Sequence, residues 1–280
     1  MTQQESHRHH FVPEFLLKPW AENGELNGFW WDSRKRRLTC NRRGPKAFCN
    51  EFGLLTVQYH ERGRDVLERD FFGPIDSKGA LVRDQLLADG AASLSGEERR
   101  DFARLLLSLE ARRPMTVHKL RGFGTQFLIE VVDDDPEIQR EMVREGIAGK
   151  PSDYLKTQQF SFEDRALSNI QGLVDNERIC GKLINMKWRV IHLGLCDGEL
   201  LLSDRPLVRC FGYDHPSAAW FLPLTPNAAF CAVNQPGKLD RTTPQRIAKR
   251  LNVASAGQAE KYVFCTDTTH TRWLPRYLAT

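Results

Sequence analysis

The stretch Ala219-Trp220-Phe221-Leu222-Pro223-Leu224-Thr225-Pro226-Asn227-Ala228-Ala229-Phe230-Cys231-Ala232-Val233 decides the fold class. It holds two apolar runs, Ala219 to Leu224 and Ala228 to Val233, each of strand length and parted by a proline. Upstream, Trp188 to Leu193 alternates and Glu199 to Ser203 is another short apolar run; Tyr262 to Cys265 supplies a last one. Gly198, Pro206, Pro216 and Pro226 punctuate the series, which reads as an antiparallel meander.

Ahead of these strands the period is helical. Ser95 and Glu98 stand at the reciprocal positions of a capping box. Phe102, Leu105, Leu106 and Leu109 then recur at helical spacing until Pro114 stops the run. Residues 57–87 read as helical pieces interrupted at Gly73-Pro74. Phe123 to Val132 reads as helix, Asp133-Asp134-Asp135-Pro136 as a break, Glu137 to Glu145 as a short helix and Gly146 to Pro151 as a loop. Leu167 to Met186 reads as one helix, and Pro244 to Leu251 as a short one.

At the N-terminal end Val12-Pro13 opens a short helix, because proline suits the first helical position, and Pro19 keeps it short. Asn23-Gly24 makes a turn. Leu26 to Asp32 and Leu38 to Asn41 form a hairpin joined by Ser33 to Arg36. Strands and helices are segregated rather than alternated, so the expected class is α+β. It has a helix-rich middle, an antiparallel C-terminal sheet and an N-terminal basic β-hairpin. Residues 1–8 read as a mobile tail. Residues 9–280 read as a single domain or as two lobes, the sheet-bearing one starting near 187.

Composition narrows the class. The 280 residues are 41% hydrophobic with net charge +4, enough for a core near the upper size of a single one. No run of about 18 apolar residues exists, so no membrane partner is expected. No signal peptide pattern opens the chain, so a cytoplasmic location is expected. Seven cysteines, none spaced C-x-x-C, read as reduced thiols used mostly as small buried hydrophobes. Phosphate-loop, GxGxxG, GxSxG and HExxH motifs are absent, which disfavours the common ATPase, dinucleotide and serine-hydrolase classes.

Several groups of residues carry candidate chemistry. Arg34, Lys35, Arg36, Arg37, Arg42, Arg43 and Lys46 crowd one hairpin without an acid among them. Beside Phe29, Trp30 and Trp31 they suit an anionic partner such as nucleic acid, or equally a solvated edge that resists sheet aggregation. Strand alternation puts Trp30 and Trp31 on opposite faces. Arg112 and Arg113 before Pro114 suit phosphate binding, a helix dipole or an internal ion pair. His9 and His10 suit a structural latch, metal ligation or acid–base work. Zinc needs three or four ligands, and Asp204, Glu110 and His118 are distant in sequence. Asp204, in Ser203-Asp204-Arg205-Pro206 after a strand, reads as a turn former or as a base. No resident cofactor is expected; a divalent metal enters only if His9, His10 and Asp204 converge as a nuclease or related hydrolase.

The order His9-His10-Phe11-Val12-Pro13-Glu14-Phe15-Leu16-Leu17, then a basic hairpin with Gly44-Pro45-Lys46, then Glu110-Ala111-Arg112-Arg113-Pro114, resembles the domain-of-unknown-function 4238 family. Trp188, Ser203-Asp204-Arg205-Pro206-Leu207, Pro223-Leu224-Thr225-Pro226 and Ala259-Glu260-Lys261-Tyr262-Val263-Phe264 extend the resemblance over nearly the whole chain. Arg205 departs from the Asn that many relatives carry. The resemblance implies a bacterial accessory protein and, through one relative, the toxin of a toxin–antitoxin pair that docks on the replication sliding clamp. Its partners would be a cognate antitoxin and the clamp or nucleic acid. Gln159-Phe160-Ser161-Phe162 resembles part of the short motif by which bacterial proteins dock on that clamp, with Gln159 at the pocket rim and Phe160 and Phe162 filling it. A non-toxic interaction module is the further alternative.

Overall fold

A computed structural model describes residues 8–194, 198–266 and 268–279. Residues 1–7 of the expected tail and Cys196 lie outside these. The N-terminal elements are β1 (Arg8–His10), α1 (Glu14–Leu17), β2 (Leu26–Asp32), β3 (Arg37–Arg43) and β4 (Asn50–Phe52). The helical middle comprises α2 (Gly73–Asp89), α3 (Gly96–Ala111), α4 (Pro114–Lys119), α5 (Thr125–Asp133), α6 (Pro136–Arg144), α7 (Pro151–Thr157), α8 (Phe162–Val174) and α9 (Glu177–Asn185). Then come β5 (Lys187–His192), β6 (Leu202–Ser203), β7 (Val208–Cys210), β8 (Ala219–Thr225) and β9 (Ala228–Val233). The chain closes with α10 (Gly237–Asp240), α11 (Pro244–Gln258), β10 (Val263–Phe264) and α12 (Pro275–Leu278). The class is α+β, as expected, and every pairing in the two four-stranded sheets is antiparallel.

Three local expectations are corrected. Gly73-Pro74 does not interrupt helix. It marks a π-turn over Leu67–Phe72 running into α2, with the Gly73 amide donating to Glu68 five residues back. The single helix over 167–186 is two, because Asn176 caps α9 by accepting the Ile179 amide at 3.0 Å. The C-terminal strands also do not form one meander. Strands β5, β9, β8 and β7 make one sheet, whereas β6 and β10 join the N-terminal hairpin in the order β3-β2-β10-β6. The capping box of α3 does form: the Glu98 amide donates to Ser95 Oγ (3.2 Å) and the Ser95 amide to Glu98 Oε2 (2.7 Å).

The chain divides into two compact units, each discontinuous in sequence. One, over residues 10–50, 75–109 and 176–280, holds both four-stranded sheets. Within it α11 serves two cores. Ala256 packs with Phe29, Leu201, Val263 and Leu274 against the hairpin sheet. Ala248 and Leu251 pack with Leu200, Val208 and Ala229 against the other. The far face of that second sheet stacks Trp188 and Phe230 on Phe102 of α3, with ring centroids 4.9–5.9 Å apart. Each such pair adds about 0.5–1.5 kcal/mol beyond its buried area. On the hairpin sheet, the Phe48 ring lies on Gly28. A Cβ there would sit 2.5 Å from Phe48 Cε1, so only glycine lets the ring close down.

The other unit, whose described residues are 8–9, 51–74 and 110–175, is mainly helical. Phe162, Ala166, Leu167, Ile170 and Val174, the inward stripe of α8, are all buried. The irregular segment 53–59 is fixed by side chains. Arg121 donates to the carbonyls of Thr56 (2.6 Å) and Leu54 (3.2 Å), and Asp164 accepts the amides of Gln58 and Tyr59 at 2.8–2.9 Å. Backbone groups without a ladder partner are thereby satisfied.

Candidate functional site

The His-His block lies on β1, where successive side chains point to opposite faces. His9 is fully buried. Its Nδ1 accepts the Leu55 amide at 2.9 Å and its Nε2 lies 3.1 Å from Asp65 Oδ1. An amide aimed at Nδ1 requires a lone pair there, so the proton sits on Nε2 and is donated to Asp65. His10 is half-buried, with Nε2 3.4 Å from the Lys46 carbonyl oxygen. Much of the block is core: Val12, Leu16 and Leu17 have no exposed surface, and just beyond it the buried Trp20 indole donates to the Leu200 carbonyl at 2.8 Å.

Asp204 also works on backbone. It is 5% exposed, and its carboxylate accepts amides from Glu260 (2.9 Å), Lys261 (2.7 Å) and Tyr262 (2.8 Å). The Asp204 amide in turn donates to the Tyr262 carbonyl at 3.0 Å. Ser203 donates its hydroxyl to the Arg205 carbonyl, and the Gln258 amide group reaches the carbonyls of Arg205 and Leu207. The Ser-Asp turn thus fixes the passage from α11 to β10. Burial pushes the Asp204 carboxyl up to about 6, against the pull of the amides of Tyr262, Glu260 and Lys261.

His9, His10 and Asp204 therefore do not present a free donor set. Among the described residues no three His, Cys, Asp or Glu side chains are grouped to hold a metal ion. Nor do Arg112 and Arg113 face solvent. Arg112 is fully buried with its guanidinium over the Phe72 ring, and Arg113 pairs with Glu110 at 3.5 Å. In the clamp-like segment, Gln159 sits in the turn after α7 with φ +61°, and Phe160 is partly exposed. Phe162 is only 4% exposed and packs edge-on to Phe160, so one aromatic of the pair is offered outward.

The hairpin keeps its cations outside. Arg34, Lys35, Arg36, Arg37, Arg42, Arg43 and Lys46 are all exposed, and β3 is an edge strand. Asp32 accepts the amides of Arg34 and Lys35, each at 3.1 Å, which shapes the turn. The Lys35 amide foremost holds the Asp32 carboxyl below its usual range. Lys35 pairs with Asp32, and Arg42 with Glu25. Among the described residues Arg34, Arg36, Arg37 and Arg43 form no ion pair. The register sets Arg37 opposite Asp32 and Arg43 opposite Leu26, the face shared by Trp30, while Arg42 takes the other. Trp30 meets the Tyr262 ring edge-on at 5.8 Å, and both tryptophans are half-buried. The edge therefore offers guanidinium groups to an anion without an open aromatic platform.

A family model described as Protein of unknown function (DUF4238) matches residues 8–269. The chain belongs to this family. No curated protein and no solved structure matches the chain. The DUF4238 match includes the His-His block, the hairpin and the Ser-Asp turn, so the marks of the family are, in this chain, mainly parts of its scaffold. No helix among the described residues is long and apolar enough to cross a membrane.

Sequence reasoning missed the residues that secure the rest of this DUF4238 scaffold. Asp65 pairs with His9; Asn252, 6% exposed, accepts the Leu201 amide and donates to the Glu199 carbonyl, both at 2.8 Å. An Asn in a helix and an Asp in an irregular segment carry no periodic signal that distinguishes a buried anchor from a solvated side chain.

Proposed function

We propose that the chain is a toxin-class effector that acts by binding rather than catalysis, and that its basic hairpin edge meets nucleic acid at the replication machinery. The toxin class rests on the family resemblance. The observation that carries the contact is the set of four exposed guanidinium groups that form no ion pair among the described residues, Arg34 and Arg36 in the hairpin turn and Arg37 and Arg43 on its edge strand. Arginine forks match phosphate oxygens in pairs. With neither tryptophan open for stacking, the contact is to the phosphate backbone and is indifferent to base sequence. Docking on the sliding clamp through Gln159 would need Phe162 to leave its buried site, so nucleic acid is the favoured partner of the two.

The test is fluorescence anisotropy with labelled single- and double-stranded oligonucleotides, alongside growth and DNA synthesis on expression in a naive host. Binding that weakens steeply with salt, and is lost together with growth arrest when Arg34, Arg36, Arg37 and Arg43 become alanine, supports the proposal. Growth arrest without any nucleic-acid binding would remove the hairpin from it.

A further inference from the structure

A cavity lies between the sheet β5-β9-β8-β7 and α11, lined by none of the candidate site residues that the sequence offered. Its volume is about 290 Å³, near the lower end for pockets that enclose small organic ligands. Val208, Phe221 and Val233 form the sheet wall. Ile247, Leu251 and Ala254 form the helix wall, recurring at i, i+4 and i+7 so that one apolar stripe faces inward.

Polar groups are few, and their placement is informative. Arg250 lies on the same helical face and is exposed, which puts a guanidinium at the rim. Among the described residues it forms no ion pair, and no aspartate or glutamate lines the cavity. Asp240, which follows the cavity-lining Leu239, is paired with Arg189. Cys210 of β7 also lines the cavity. Its thiol is solvent-accessible, yet burial against the apolar wall raises it above its ordinary range.

An apolar chamber with one unpaired guanidinium at its rim suits a ligand with a hydrocarbon body and one planar anionic end. A single arginine fork fits a carboxylate in two-point contact. A phosphate, with more charge, would call for a second cation, and among the described residues none lines the cavity. We propose that this cavity binds a small apolar monocarboxylate, with its hydrocarbon part between the sheet and α11 and its carboxylate on Arg250. The volume admits a chain of roughly eight to ten carbons at ordinary packing density.

Decanoate is the probe, titrated into the full chain by calorimetry. In parallel the alkylation of Cys210 is followed by peptide mapping, with exposed Cys40 of β3 as internal reference. Decanoate is expected to bind at a single site and to slow alkylation of Cys210 but not of Cys40. Arg250→Ala, at an exposed position, is expected to weaken decanoate about tenfold or more and to leave the weaker binding of decanol unchanged. Ala254→Phe, which fills the chamber, is expected to abolish both; if that variant does not fold, Arg250→Ala and the thiol pattern still decide. The proposal is overturned if millimolar decanoate does not bind, if both thiols are protected alike, if Arg250→Ala binds as the wild type does, or if decylamine binds as well as decanoate.

Discussion

The His9 imidazole and the Asp65 carboxylate form a buried pair, with Nε2 3.1 Å from Oδ1. Asp65 Oδ2 is buried without a hydrogen-bond partner among the described residues, so His9 is the group that makes the carboxylate tolerable there. Removing one member of a buried pair leaves the other uncompensated. His9→Ala is therefore expected to cost about 3 kcal/mol of stability. His10→Ala, at a half-buried position where Nε2 lies 3.4 Å from the Lys46 carbonyl oxygen, is expected to cost under about 1 kcal/mol. Urea unfolding of both variants checks this. Equal losses would show that the pair does not hold the N-terminal strand.

Asp204 gives a prediction with a sign. Its carboxyl is raised by burial to about 6 from an ordinary 3.8. Between those values the folded chain holds a proton that the unfolded chain has lost. The group's contribution to stability is thus fully present below about pH 4 and is lost as pH rises through about 6. Two pKa units correspond to a change on the order of 3 kcal/mol. Asp204→Asn removes the titration and places an amide nitrogen among backbone donors, so it is less stable than the wild type. The gap between the two should be widest near pH 4 and narrow by pH 7, measured by denaturation across that range. A gap that widens with pH would contradict the burial argument.

Gly28 and Phe48 test the packing of the hairpin sheet. A methyl at Gly28 would meet Phe48 Cε1 at 2.5 Å, Phe48 Cζ at 2.9 Å and Phe264 Cε1 at 3.3 Å. Gly28→Ala is expected to cost about 1–3 kcal/mol by overpacking. Shortening the partner in the double variant Gly28→Ala with Phe48→Leu should cost less than the two single changes added together. Additive losses in thermal unfolding would place the strain elsewhere.

The segment resembling a clamp-docking motif can be read by stability alone. Phe162 is buried at the start of α8, and Phe162→Ala is expected to cost about 3–5 kcal/mol. Gln159→Ala, in an exposed turn, should stay within about 0.5 kcal/mol. A Phe162→Ala variant as stable as the wild type would mean that this ring is available to a partner after all.

Periodicity and capping chemistry made much of the fold legible. Ser95 and Glu98 announced α3, Pro13 and Pro244 opened their helices, and the runs around Trp220 and Phe230 gave β8 and β9. Pairing was not legible, because β6 and β10 are too short to carry a register signal. The place of β10 beside β2, with β6 beyond it, depends on Gly28 admitting the Phe48 and Phe264 rings and on Asp204 gathering the amides of residues 260–262, and Gly28 with Phe264 and Asp204 with residues 260–262 join segments far apart in sequence. The site residues divide in the same way. The charges from Arg34 to Lys46 were readable as an exposed cluster because seven cations and no acid stand there. Arg112 and Phe162 look alike in sequence whether buried or offered to a partner, and only the packing decides between the two.

The salt dependence of oligonucleotide binding tests the proposed function most directly. If Arg34, Arg36, Arg37 and Arg43 each neutralise a phosphate, log K against log salt should fall with a slope of about −3 to −4 on duplex DNA. Removing Arg37 and Arg43 should flatten it by about 2, with no dependence on base sequence. Absence of binding at 50 mM salt, or a slope unchanged in the Arg37→Ala, Arg43→Ala variant, would contradict a nucleic-acid role for the hairpin edge.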